Sequence, residues 1–264
     1  MSANETGSAI GPDRPAPLPV SLATAWLAAG WRDLVTQPGP SLVYGAGVFV
    51  VSLLVVAVMF WAGWDHILFP ALSGFMIVGP LIAIGLYEKS RRLQAGESVR
   101  LADMVLVRPP SGGQILFIGV ILALLIVFWL RAAVLLYALF FGLHPFPGLN
   151  ELLPMLVATP TGWAMLLVGT VVGGLFAAFA FSISVFAIPM LLDENVDALT
   201  AMGMSMAMVW RNLGVMIAWG AVVMVLFALA VVTVLLGMIL VFPLLGHATW
   251  HAYRAVRQGE TRDA

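Results

Sequence analysis

The sequence predicts an all-α, polytopic membrane protein: six transmembrane helices arranged as three hairpins, with short interfacial helices between them and both termini in the cytoplasm. Three observations predict it. The 264 residues are 62% hydrophobic and only 9% charged, against roughly a quarter charged in soluble domains. The apolar residues gather in runs of about 20, the length that crosses a bilayer as a helix. And the basic residues fall almost entirely on one side of the resulting path, the bias that marks the cytoplasmic face.

The elements follow in order. Residues 1–20, "MSANETGSAIGPDRPAPLPV", are polar and rich in proline and glycine. They lack the basic n-region and apolar h-region of a signal peptide and read as a disordered tail. A single helical membrane domain occupies 21–257, and a short C-terminal tail covers 258–264. The spans run from about Ser41 to Trp64, Ile67 to Tyr87, Gln114 to Gly142 and Gly162 to Leu192. The next apolar run, Leu213 to Tyr253, would be about 60 Å long as one helix at 1.5 Å per residue. That is twice a bilayer, so a break is placed at Val232–Gly237. With that break, every Lys and Arg except Arg131 lies on the inner side, and the outer turns, Gly63–His66, Leu143–Thr161 and Val231–Gly237, carry none.

Short amphipathic stretches precede each pair of spans: Leu22–Leu34, Val99–Pro110 and Leu199–Leu213. They contain Arg32, Arg108 and Arg211 near their ends, the character of helices lying in the inner interface with arginines toward phosphates. Two stretches also align without a gap. Val78–Glu97 and Val241–Glu260 share Val78/Val241, Pro80/Pro243, Leu81/Leu244, Arg91/Arg254, Gly96/Gly259 and Glu97/Glu260. A looser third copy begins at Val185, with Pro189 in the proline place. The expected repeats are 21–97, 98–197 and 198–260. Trp61, Trp64, Trp163 and Trp250 fall near span ends as belt aromatics; Trp129 and Trp219 fit the belt less well and are candidates for the interior.

Several residues are candidates for chemistry. His247 and His251 are four apart on one helical face, a spacing that suits a shared divalent metal, with Glu88, Asp193 or Glu194 as a further ligand. The competing reading is an interfacial aromatic cluster with Trp250 and Tyr253. Arg131, the basic residue inside a span, either snorkels to the outer headgroups or pairs structurally, or serves a solute pathway. Pro80, Pro189 and Pro243 interrupt spans, which either kinks them within a bundle or opens a binding site as in transporters. Gly169 and Gly173 form a small-xxx-small pattern fit for helix packing or self-association. The carboxylates of "LLDENVDALT" fit helix capping, with Asp193 or Asn195 leading the next helix.

The net charge of −1 argues against a nucleic-acid partner, and the absence of cysteine excludes disulfides and thiolate sites. No phosphate-binding loop, dinucleotide fingerprint, HExxH or GxSxG occurs, so no catalytic residue and no cofactor are expected. The expected partners are the lipid bilayer and other membrane proteins. The expectation is therefore a non-enzymatic accessory or scaffold protein of a membrane complex, with a transporter or channel for a small or apolar solute as the alternative and a metal-binding membrane protein as the third reading.

At "GPLIAIGLYEKSRRLQAGE", "LLDENVDALTAM" and "PLLGHATWHAYR" the chain resembles the bacterial integral membrane proteins grouped as domain of unknown function 2189. The likeness extends from about Ala25 to Arg257. It implies a multi-span protein of the bacterial inner membrane and carries over no catalytic residues.

Overall fold

A computed structural model describes residues 18–64, 67–142 and 149–262. Most of the tail expected over 1–20, together with Arg14, His66 and His144, lies outside the described residues. Twelve helices make up the rest: α1 (Leu22–Val35), α2 (Pro38–Trp61), α3 (Leu68–Ile82), α4 (Ile84–Gln94), α5 (Leu101–Val105), α6 (Gly112–Phe141), α7 (Leu149–Ala158), α8 (Pro160–Ser184), α9 (Ala187–Asp193), α10 (Ala198–Arg211), α11 (Leu213–Val232) and α12 (Met238–Arg262). No strand occurs among the described residues.

Among the described residues, five segments are long and apolar enough to cross a membrane: α2, α3 with α4, α6, α8 with α9, and α11. The expected sixth, α12, is a separate 25-residue helix whose end, from Arg254 to Arg262, is charged. The break that separates it from α11 falls at Thr233–Gly237, where Val234 and Leu235 both take positive φ. That conformation costs a non-glycine residue about 1–3 kcal/mol, and local hydrogen bonds hold it. Leu235 N–H donates to the Ala230 carbonyl at 2.8 Å, and Gly237 N–H donates to Thr233 Oγ1 at 2.9 Å.

The outside of the bundle is greasy. Leu116, Leu135, Leu139, Leu167 and Leu175 are all exposed, a pattern that lipid tolerates and water does not. Trp61, Trp64 and Trp163 are likewise exposed, as belt aromatics are. Trp129 and Trp219 are buried, as is Trp250, which corrects the belt assignment of Trp250. The core concentrates where α4, α9 and α12 touch one another. Ala187 to Leu192 of α9 are all buried.

α12 sits at the centre of this packing, against α1, α2 and α4. Small residues make the approach close. A Cβ on Gly30 would lie 2.6 Å from the Ala248 backbone nitrogen, and one on Gly45 would collide with the Ile239 carbonyl. Ile239 is four residues before Pro243, so its carbonyl is the one the proline leaves without a helical donor; Gly45 makes room for it.

Two further elements differ from expectation. The outer turn at Leu143–Thr161 contains α7, whose Leu152 and Leu156 pack with Tyr137 in a second small core. The segment Val99–Pro110 holds only five helical residues, α5.

Candidate functional site

The two histidines that stand out in the sequence lie on α12, but not at a surface. His247 is fully buried. Its Nε2 is 2.9 Å from Ser41 Oγ of α2, and its Nδ1 is 2.8 Å from Ser90 Oγ of α4. Lys89, also fully buried, donates to Ser41 Oγ at 2.7 Å and to the Gln37 carbonyl at 2.8 Å. Gln37 links α1 to α2 with a left-handed φ of 63° and accepts the Val99 N–H at 3.2 Å through its side chain. Burying a cation without partners is prohibitive; here the loop carbonyl and the hydroxyl supply them.

One turn along α12, His251 Nε2 meets Asp33 Oδ2 of α1 at 2.8 Å, and Gln94 donates weakly to its Nδ1 at 3.4 Å. Gln94 also accepts the Trp250 indole N–H at 3.1 Å. Asp33 lies at the end of the cluster nearest water. Burial alone would raise its carboxyl, but hydrogen bonds from His251 and Ser90, and the nearby imidazoles, hold it below the ordinary carboxylate range. α1, α2, α4 and α12 thus meet around one polar cluster, with Lys89 sealed at one end and the Asp33–His251 pair partly exposed at the other.

Around it runs a ring of ion pairs. Glu88 is 2.8 Å from Arg91 and 2.5 Å from Arg92. Arg254 meets Asp193 at 2.9 Å, and Arg257 meets Glu194 at 2.8 Å. Tyr253 donates to Glu194 at 2.9 Å. Burial would lift the Glu194 carboxyl, yet Arg257 and Tyr253 bring it below its usual value. These contacts correct the capping assignment. Asp193 and Glu194 clamp α12, and the cap of α10 is Asp197, which accepts the Thr200 N–H at 2.9 Å.

The other sequence candidates are scattered. Arg131 is exposed on the flank of α6, away from the cluster. Gly173 is filled from within the chain, since a Cβ there would lie 2.8 Å from the Trp129 ring, while Gly169 faces open space. The proline breaks are covered. Tyr44 donates to the Ile82 carbonyl at 2.6 Å where α3 passes into α4. Ser205 of α10 donates to the Ser182 carbonyl at 2.8 Å and accepts the Phe186 N–H at 3.2 Å where α8 passes into α9. Two clefts of about 400 Å³ open elsewhere, one lined by Ser111, Gln114 and Asn195, the other by Tyr137, Phe141 and Thr159; neither is lined by Pro80, Pro189 or Pro243.

Among the described residues no group of three or more His, Cys, Asp or Glu side chains gathers where a metal ion could be held, and both ring nitrogens of His247 are occupied by hydroxyls. The sequence pointed to His247 and His251 but missed Ser41, Lys89, Ser90 and Asp33. The available signal was "EKS", Glu88 to Ser90, a polar triad that continues an apolar span without a turn.

A bundle of apolar helices with greasy flanks and long apolar spans defines a multi-pass helical membrane protein. The family comparison agrees. Residues 68–193 match the family described as "predicted integral membrane protein", domain of unknown function 2189, the family that the motifs resemble. The matched stretch runs from α3 to the end of α9. It includes Pro80, Lys89, Ser90, Arg131 and Pro189 and stops short of α12, so "PLLGHATWHAYR" lies beyond it. No curated protein and no solved structure matches the chain.

Proposed function

We propose that this is a six-span protein of the bacterial inner membrane, with both termini in the cytoplasm, that acts without catalysis as an accessory or scaffold subunit of a membrane complex. The observation that carries the reading is the state of its ionisable interior groups. Glu88, Lys89, Asp193, Glu194 and His247 are all engaged by other side chains of the same chain, whereas the long spans turn bare apolar surface outward. Groups tied up in this way hold helices in register, and an apolar flank is what a neighbouring membrane helix packs against. The α11–α12 turn supports the sixth span, and the placement of arginines supports the inner assignment of that end.

The test is isolation from native membranes in lipid nanodiscs, without detergent. The proposal expects the protein to emerge at a mass well above its own 28.2 kDa plus the disc, with the same membrane protein recovered each time. Recovery as a lone monomer at natural abundance would overturn it.

A further inference from the structure

Gln94, the last residue of α4, serves two side chains of α12 with the two ends of one amide. Its Oε1 lies 3.1 Å from the Trp250 indole nitrogen, and its Nε2 lies 3.4 Å from His251 Nδ1. An indole nitrogen can only donate, so the amide oxygen faces Trp250, and that fixes the orientation of the amide. The NH2 end then faces His251, whose Nδ1 is a bare acceptor. A neutral imidazole with a bare Nδ1 carries its hydrogen on Nε2, and Nε2 donates to Asp33 Oδ2 at 2.8 Å. With His251 neutral, the indole N–H and the imidazole N–H each have an acceptor.

A second proton disturbs this arrangement at one place. It goes to Nδ1, and an imidazolium donates from both nitrogens. At Nε2 nothing is lost, since Asp33 still accepts and the pair now carries opposite charges. At Nδ1 the new N–H meets the Gln94 NH2, donor against donor. Turning the amide over satisfies His251 but sets the NH2 against the Trp250 N–H. Trp250 is 1% exposed, so water does not stand in for the lost acceptor, and a buried donor without one is costly. Protons have access to the group, because the His251 and Asp33 side chains are 20% and 15% exposed.

We propose that Gln94, Trp250 and His251 form an acid-sensitive latch, which fastens α4 to α12 while His251 is neutral and lets go when it is protonated. The same proton tightens the hold of α1 on α12 through Asp33, so α12 exchanges one neighbour for another. The position suits release. Gln94 ends its helix, and Gly96 just beyond it has a positive φ of 76°, so the last turn of α4 can part from α12 while Leu86 to Ser90 stay buried. The inference does not rest on the scaffold reading, because it concerns contacts within one chain.

The groups around His251 leave the titration to it and Asp33. α1 brings Asp33, and its Arg32 is exposed. α2 and α11 carry no charged side chain, and the α2 tyrosine, Tyr44, donates to the Ile82 carbonyl. On α4, Glu88 is paired with Arg91 and Arg92, Lys89 is held by Ser41 and the Gln37 carbonyl, and Tyr87 is buried. From α9, Asp193 and the adjoining Glu194 pair with Arg254 and Arg257 of α12, and Tyr253 donates to Glu194. His247 has a hydroxyl at each nitrogen.

Nitrogen-15 NMR of the full chain in lipid bilayers, from about pH 8 to about pH 5 to bracket the ordinary histidine range, follows His251 and the Trp250 indole together. The Trp250 signal is assigned by its loss in Trp250→Phe. At pH 8 the expected His251 is neutral with its hydrogen on Nε2. On acidification it becomes an imidazolium, and the Trp250 N–H resonance moves in step, with the same midpoint. A hydrogen on Nδ1 at pH 8, a His251 that stays neutral to pH 5, or a Trp250 resonance that ignores the titration would each overturn the proposal. Gln94→Glu keeps the shape and offers an acceptor oxygen to each partner. It should move the His251 titration to higher pH by about one pH unit, as a carboxylate beside a cation does, and hold the Trp250 resonance still through it. A Trp250 resonance that moves as far in Gln94→Glu as in wild type would overturn the latch as well.

Discussion

At the scale of single residues, the fold rests on partners far apart in sequence. His247 is flanked by Ser41 and Ser90, 206 and 157 residues away. The sequence showed the histidine, and its helical spacing to His251, but had no means to show hydroxyls arriving from two other helices. It likewise placed Lys89 among the solvated inner charges, because a lone lysine near a span end normally snorkels. What buries it is the left-handed turn at Gln37, which aims a carbonyl inward. Replacing His247 with Leu fills the space but leaves two buried hydroxyls short of a partner. A loss of about 1–3 kcal/mol follows, to be read from the thermal or denaturant midpoint of protein in mixed micelles. The carboxylates Asp33 and Glu194 set the acid limit. Both are held below their ordinary range, so the stability they lend is complete above their unfolded values of about 4 and drains away as pH falls through the folded ones. The unfolding midpoint should be flat from neutrality to about pH 5 and fall below about pH 4. Glu194→Gln should flatten that fall, and an unchanged acid profile in that variant would refute the assignment.

At the scale of elements, apolar run length was enough to place the spans, since α2, α6, α8 and α11 coincide with them closely. It failed where hydropathy stops reporting. α4 carries the second span on through "YEKSRRLQ", because its charges pair along the helix at i, i+3 and i, i+4 and so support the helix. α7 was read as a turn because its ten residues are too few to span and are interrupted by Pro154. The proline breaks were legible as positions but not as roles; Tyr44, Ser205 and Gly45 cover them from other helices. Gly45 gives the sharpest test. Gly45→Ala forces α2 away from the Ile239 carbonyl and should cost about 1–3 kcal/mol, while Gly47→Ala, with open space around it, should be neutral or stabilising by up to about 1 kcal/mol. Equal effects on the unfolding midpoint would show that α2 and α12 are not in close contact.

At the scale of the molecule, composition settled the class, and the motifs pointed to the family whose model matches residues 68–193, a narrower stretch than the likeness seen from Ala25 to Arg257. The proposed sixth span was the hardest element to read. α12 is apolar for only its first part, and much of that is turned inward onto α1, α2 and α4 instead of outward to lipid. Its passage through the membrane is the claim on which the topology, the depth of Lys89 and the cytoplasmic exposure of Asp33 all depend. The chain contains no cysteine, so single cysteines can report it cleanly. Val234, 73% exposed in the α11–α12 turn, and Gln258 near the end of α12 lie on opposite sides in the proposed topology. In intact cells with a permeable outer layer, a membrane-impermeant maleimide should label Val234→Cys and spare Gln258→Cys until the inner membrane is opened. Labelling of Gln258→Cys in intact cells, with Val234→Cys protected, would contradict the account.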